Sequence, residues 1–186
     1  MPHDPRETME LVRIDRASEA ALHEAWVLYE GSFPRNERRS WPQHLRAMED
    51  PSFVCLVLRD GRGMAGLLFV WETEEFVFLE HLAVQPARRR GGIGHVALEL
   101  LHRRAGRRPV VLEIEPVVDE PTARRCRFYE SCGYVKLPFP HEQLPFHAGE
   151  PPLPLTLLSF PRAMTEAEVA NFETCLSERI MQYRDV

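Results

Sequence analysis

Lysine is almost missing from these 186 residues: Lys136 is the only one, and every other side chain of the basic pair Lys and Arg is arginine. The bias reads as the mark of a GC-rich genome and excludes little. Cysteine is scarce, and its placement excludes more. Cys55, Cys126, Cys132 and Cys175 are scattered, with no C-x-x-C pair and no Cys/His cluster of zinc spacing, so no metal is expected. This usage fits a reducing cytoplasm. No apolar run approaches the ~18 residues that span a bilayer, which excludes a membrane partner. The start, Met1-Pro2-His3-Asp4-Pro5-Arg6-Glu7, is polar with no apolar signal segment behind it, and a cytoplasmic location is expected. A formal charge of -5 argues against nucleic acid as a partner. There is no Gly-Lys-Ser/Thr, hence no P-loop. Internal repeats and low-complexity tracts are absent too.

What is present suffices for one domain over 1–186, with hydrophobic content of 44% and charged content of 27%. Leu11 to Ile14 reads as a first strand. Ser18 is a plausible N-cap for a helix carrying Leu22, Ala25, Trp26 and Tyr29 at helical spacing, broken at Gly31-Ser32-Phe33-Pro34. A short helix follows, from Ser40 or Trp41 to Met48. Phe53 to Leu58 and Ala65 to Trp71 form a hairpin about Asp60-Gly61. Phe76 to Val84 is apolar on both faces and therefore central. A helix over Ile93 to Arg104 and a strand over Pro109 to Ile114 complete a βαβ unit, so the strands on either side of that helix are parallel. Thr122 to Cys132 is helical and ends at Gly133. Tyr134 to Leu137 and Leu155 to Phe160 are strands, separated by an irregular loop with six prolines between Pro138 and Pro154. Thr165-Glu166-Ala167-Glu168 is a capping box. The helix behind it carries a stripe, Val169, Phe172, Leu176, Ile180 and Tyr183, that packs on the parent sheet or on a second copy of the chain.

The junction after Val84 carries the chemistry. Gln85-Pro86-Ala87 is followed by Arg88-Arg89-Arg90-Gly91-Gly92-Ile93-Gly94, between a strand end and a helix start. Glycines let a ligand approach the backbone, and the free amides of a first helical turn point at an anion. A tight turn with solvated arginines is the plain alternative. A dinucleotide-binding fingerprint is a second: Gly92-x-Gly94-x-x-Ala97 matches G-x-G-x-x-A, with Glu113 at ribose-binding distance. That would make a nicotinamide-dependent oxidoreductase. Against it, six residues intervene between Val84 and Gly91, and too little chain follows for a doubly wound sheet.

Leu82-Ala83-Val84-Gln85-Pro86 followed by Arg89-Arg90-Gly91-Gly92-Ile93-Gly94 resembles the acetyl-CoA loop of the GNAT N-acetyltransferase superfamily, written Q/R-x-x-G-x-G/A and matched at Arg89, Gly92 and Gly94. Many members carry glycine where this chain has Arg90. Phe128-Tyr129-Glu130-Ser131-Cys132-Gly133-Tyr134 is similar to the family's F-Y-E-x-x-G-F/Y segment. The resemblance covers about 11–160 and leaves the last helix, about 165–184, as an addition. It implies an α/β (α+β) fold: a mixed, mostly antiparallel sheet of about seven strands, flanked by helices and splayed between the fourth and fifth strands to admit acetyl-CoA. It also implies that the pantetheine arm lies along the backbone of Leu82, Ala83 and Val84. The pyrophosphate would sit on the amides of Arg89, Arg90, Gly91, Gly92, Ile93, Gly94 and His95.

The activity implied is transfer of an acetyl group from acetyl-CoA to a primary amine, on a small molecule or a protein, by direct attack. Such a transfer needs a proton acceptor, an oxyanion donor and an acid for the thiolate. Glu80 interrupts the central strand and by alternation shares a face with Phe78, Leu82 and Val84. Partial burial would raise its pKa and make it the base; a carboxylate bonded to a neighbouring strand is the equal alternative. His81 points the other way by the same alternation, so register decides between them, with Glu80 favoured. The resemblance makes Tyr129 the acid and implies an oxyanion donor near Ala83 or Val84. Phe33 to Arg38 lies where similar proteins wall the acceptor. Glu113 and Glu115 form an acidic rim suited to an ammonium, or a solvated strand end. The proline-rich stretch near Phe139 to Phe146 is placed to cover that site. A GNAT-fold module that binds acyl-CoA without turnover is the non-enzymatic alternative.

Overall fold

A computed structural model describes residues 8–185, and the polar Met1–Glu7 stretch, from which no leader was expected, lies outside them. The strands are β1 (Glu10–Ile14), β2 (Phe53–Asp60), β3 (Gly63–Glu72), β4 (Val77–Val84), β5 (Val110–Ile114), β6 (Val135–Lys136), β7 (His141–Gln143) and β8 (Leu153–Phe160). The helices are α1 (Glu19–Ser32), α2 (Trp41–Ala47), α3 (Ile93–Ala105), α4 (Glu120–Ser131) and α5 (Glu166–Glu178). The sheet runs β1-β2-β3-β4-β5-β8-β6, with β7 paired to β8 beside it. Its pairs are antiparallel except β4 with β5, the pair joined through α3. Eight strands stand where about seven were expected, because β7 forms inside the proline-rich stretch by pairing His141 with Leu155 and Gln143 with Leu153.

Strand alternation divides the core into two layers. Phe69, Phe78, Val111 and Leu157 face α1, α2 and α5, whereas Leu68, Leu79, Leu112 and Leu158 face α3 and α4. Capping fixes the helix starts that matter for the site. Ser40 and Gln43 close a reciprocal capping box at α2, and Thr165 and Glu168 close one at α5.

The α5 stripe is spent on its own sheet. Phe172 meets Phe76 and Phe78 with ring centroids 5.5 and 5.2 Å apart. The helix stops at Glu178, and a 3-10 turn over Ile180–Tyr183 continues the stripe, with Tyr183 stacked on Trp71. Arg179 donates to both Asp50 oxygens, at 2.9 and 2.7 Å, and pins this end to the loop before β2. Among the described residues no helix is long and apolar enough to cross a membrane.

Candidate active site

The β4–β5 ladder holds only Val77↔Val110, Phe78↔Val111 and Leu79↔Leu112. Beyond Leu79 the two strands part. The cause lies on the other side of β4. Pairing with β3 passes from Val70↔Leu79 to Phe69↔His81, which leaves Glu80 opposite no residue. An extra residue of this kind bends a strand and sharpens its twist. The fork opens into a cavity of about 750 Å³ lined by β4 from Leu79 to Val84, the loop after it, the end of β5, and Arg125, Phe128 and Tyr129 of α4.

The bulge corrects the expected alternation. Glu80 does not share a face with Leu82 and Val84, and His81 does not point away from it. Both project to the α1/α2 side: His81 lies edge-on to Tyr29 and Phe33, while Leu82 and Val84 pack on the α3 side. Glu80 and His81 both line the cavity.

The expected raised pKa of Glu80 is also corrected. Burial pushes its carboxyl up, but the Arg39 guanidinium outweighs burial and holds it at about 2. Arg39 is 1% exposed and the Glu80 side chain 4%, and Arg39 Nη1 is paired directly with Glu80 Oε2. Arg39 Nη2 donates to the Ile180 carbonyl at 3.1 Å, and its guanidinium lies 5.0 to 5.5 Å from the Phe53, Trp71 and Phe146 rings. Glu80 is therefore a fixed anion. His81 Nε2 sits 2.9 Å from the Glu37 carbonyl, an acceptor only, so Nε2 bears a proton. In the neutral ring the lone pair is then on Nδ1, which has no hydrogen-bond partner and lies 3.6 Å from Glu80 Oε2. Glu80 Oε1 is likewise buried without a partner.

The loop after β4 makes a short turn and opens α3, as its glycines predict. Arg88 is committed to structure: it is ion-paired with Asp60 and holds that carboxyl down at about 2. Arg89 donates to the Val84 carbonyl at 3.1 Å. Arg90 has φ 67°, in the left-handed region where an L residue costs ~1–2 kcal/mol; this gives a physical reason for glycine in similar sequences. Gly92, φ 74°, caps α3. Among the described residues the amides of residues 90–94 donate to no protein acceptor. Ile93 is buried under the loop, and Gly91 is exposed. The two motifs meet: a Cβ on Gly94 would lie 2.9 Å from Phe128 Cζ, and His95 stands edge-on to that ring with Nε2 3.1 Å from Ser131 Oγ. Phe128 is thus the packing residue that seats the loop. Beside it Tyr129 lines the cavity, its phenol pushed up to about 12 by burial.

On the far wall Phe33, Glu37, Glu113, Glu115 and Gln143 line the cavity. Glu115 is ion-paired with Arg125. Glu113 meets His141 Nε2 at 2.5 Å, and Glu173 of α5 meets His141 Nδ1 at 2.6 Å. Glu113 is therefore neither a solvated strand end nor a ribose ligand, since it faces α5 and not α3. The proline-rich loop is stitched to the Phe33–Arg38 segment. Arg35 pairs with Glu150 at 3.0 Å, His147 Nε2 lies 3.0 and 3.1 Å from the Arg35 and Arg38 carbonyls, and Gln43 donates to the Phe146 carbonyl at 2.7 Å.

Sequence reasoning missed Arg39, His141 and Gln143. In Arg38-Arg39-Ser40 nothing separates the buried guanidinium from its neighbour. His141 stands in a segment read as irregular. Among the described residues no group of His, Cys, Asp and Glu could hold a metal ion.

Comparisons with known proteins agree with this geometry. A model of the acetyltransferase (GNAT) family matches residues 19–134. A solved structure from Bacteroides thetaiotaomicron, described as a GNAT-family acetyltransferase, superposes with TM-score 0.85 at 29% identity, over 92% of this chain and 98% of that one. More distant structures share the fold. An aminoglycoside 6'-N-acetyltransferase complexed with coenzyme A gives TM-score 0.61 at 15% identity, over 83% of this chain and 99% of that one. The Escherichia coli ribosomal-protein-S18-alanine N-acetyltransferase gives 0.57 at 17%, over 84% and 96%. No curated protein matches the sequence. A family match over more than half the chain, joined to the forked sheet and the loop that opens α3, makes this protein a member of the GNAT acetyltransferase family and an acyltransferase.

Proposed function

We propose that the protein, acting as a single domain, transfers an acetyl group from acetyl-CoA to a primary amine by direct attack. The observation that carries this reading is the fork after Leu79, which leaves the backbone of Leu82, Ala83 and Val84 unpaired toward β5, beside a cavity that is also lined by Arg90, Gly92, Ile93 and Gly94, whose amides donate to no acceptor among the described residues. A pantetheine arm pairs with such an open edge as an added strand would. The diphosphate takes the α3 N-terminus, worth roughly 0.3–1 kcal/mol when exposed and more when partly buried, with Arg89 and Arg90 adding charge-assisted bonds. A fold relative complexed with coenzyme A supports the same assignment.

Glu80 and His81 act together in proton removal. Arg39 keeps Glu80 ionised, so the proton from the acceptor's ammonium passes to His81 Nδ1, the open ring nitrogen 3.6 Å from the carboxylate. The neutral amine attacks the thioester carbonyl, and a backbone amide near Ala83 or Val84 holds the oxyanion. As the carbon–sulfur bond breaks, the proton shed by the attacking nitrogen passes to the leaving thiolate, which Tyr129 holds by a donated hydrogen bond. A phenol raised to about 12 acts here chiefly as a hydrogen-bond donor.

The test is release of free thiol from acetyl-CoA across an amine panel. His81→Gln and Glu80→Gln are each expected to lower kcat by about 10²-fold or more, the usual scale of general base catalysis, and Tyr129→Phe by about tenfold. Unchanged thiol release in all three variants would remove these roles. A GNAT-fold module without turnover is the outcome if acetyl-CoA binds and no amine releases thiol.

A further inference from the structure

The far wall of the cavity holds a charge arrangement that proton removal does not use. Both ring nitrogens of His141 face carboxylate oxygens, Glu113 at 2.5 Å and Glu173 at 2.6 Å, and carboxylates of this kind only accept. Both nitrogens must then donate, so His141 is an imidazolium. One cation shared by two carboxylates leaves the group with a net negative charge. Glu115, by contrast, is cancelled by Arg125, and Glu80 by Arg39. Glu113 is the member of the group that lines the cavity. Glu113 follows Leu112 on β5 as Glu80 follows Leu79 on β4, and Leu79 and Leu112 are the last paired residues. Both carboxylates therefore lie just past the last paired residues, on strands that part there.

Both nitrogens of the imidazole beside Glu113 are engaged by carboxylates, so no base stands there to take a proton from an ammonium, whereas Glu80 has the open Nδ1 of His81 beside it. Glu113 therefore suits a cation that does not react. Two further features bear on the acceptor. Glu37 lines the same wall and makes no ion pair among the described residues, and Glu80 Oε1, an acceptor, is buried without a partner at the reacting end. Phe33, Pro34, Glu37 and Gln143 of the proline-rich stretch line this end of the cavity, which favours a small molecule over a peptide that must pass through.

Resting on the transfer reading above, we infer that the acceptor is a small amine with a second cationic group, and that Glu113 holds this second cation while the reacting nitrogen lies at Glu80 and His81. His141 and Glu173 are positioning residues. Glu173 reaches the site from α5, which lies outside the matched family residues 19–134.

The experiment compares diaminobutane with butylamine as acceptors, following thiol release, with calorimetric titration of each amine into the protein saturated with coenzyme A. In the wild type the diamine is expected to show a KM about tenfold or more below that of the monoamine. Glu113→Gln is expected to abolish that preference by raising the diamine KM, with the acetyl-CoA KM unchanged. Glu173→Gln is expected to give a smaller rise of the same kind, and Glu113→Asp to restore part of the preference if Glu113→Gln folds poorly. Equal KM values for the two amines, a preference untouched by Glu113→Gln, or better acetylation of a lysine-bearing peptide than of diaminobutane would each overturn the inference. Diamine binding that depends on Glu113 without any thiol release would sustain the inference and defeat the transfer reading.

Discussion

Arg39 is the residue on which the acceptor side of the cleft turns. It is fully buried, paired with Glu80, bonded to the Ile180 carbonyl and packed among three aromatic rings. Breaking a buried pair by removing one partner leaves an uncompensated charge and costs about 3–5 kcal/mol, whereas replacing both can be nearly neutral. Arg39→Met should therefore lower unfolding free energy by about 3–5 kcal/mol in denaturant titration, and Arg39→Met with Glu80→Gln should recover most of that loss. A double variant no more stable than Arg39→Met would show that the pair is not coupled. The same residue explains why Glu80 is not a base of raised pKa. Burial alone would have given one, and the adjacent guanidinium reverses its sign.

At the scale of elements, α5 is more than an addition to the core. Its stripe covers Phe76 and Phe78, its following turn grips Arg39 through Ile180, and its Glu173 grips His141. Both cations that serve the cleft carboxylates are thus held by the C-terminal segment. Burial pushes His141 down, and the bonds to Glu113 and Glu173 outweigh it and raise the imidazole from 6.5 to about 9. A raised folded-state pKa contributes stability that is complete below the unfolded value and is lost as pH rises through the folded one. Unfolding free energy should then fall by up to about 3 kcal/mol between pH 6.5 and 9 from this group. The fall should disappear in His141→Gln, measured by denaturant titration at both ends of the window. An unchanged slope in that variant would place the titration elsewhere.

Across the whole molecule the cleft is polarised. One end has the α3 N-terminus with Arg89 and Arg90, and the other has Glu37 and the Glu113–His141–Glu173 group. Under the proposed function such a field would draw an anionic cosubstrate and a cationic acceptor to opposite ends. Acetyl-CoA should raise the melting temperature, since a ligand at about a hundred times its Kd stabilises by ~2.7 kcal/mol, and NAD should not. A melting shift with NAD and none with acetyl-CoA would contradict the loop assignment.

How much of this was legible in the chain differs by element. The βαβ unit, both glycine and aromatic motifs and the Thr165 capping box are local patterns, and each forms where its residues predict. β7 was hidden because three residues among prolines acquire strand form only by pairing with β8. Glu80 and His81 were placed on opposite faces because alternation assumes an unbroken ladder, and the bulge exists only in the pairing of β4 with β3. By itself the sequence determined the fold family and the glycine-rich loop that opens α3, since these rest on neighbours along the chain. Only the tertiary structure decided the ionisation of Glu80 and the grip on Glu113, because a pKa is set by charges that meet in space: Arg39 is 41 residues from Glu80, and His141 is 28 from Glu113 and 32 from Glu173.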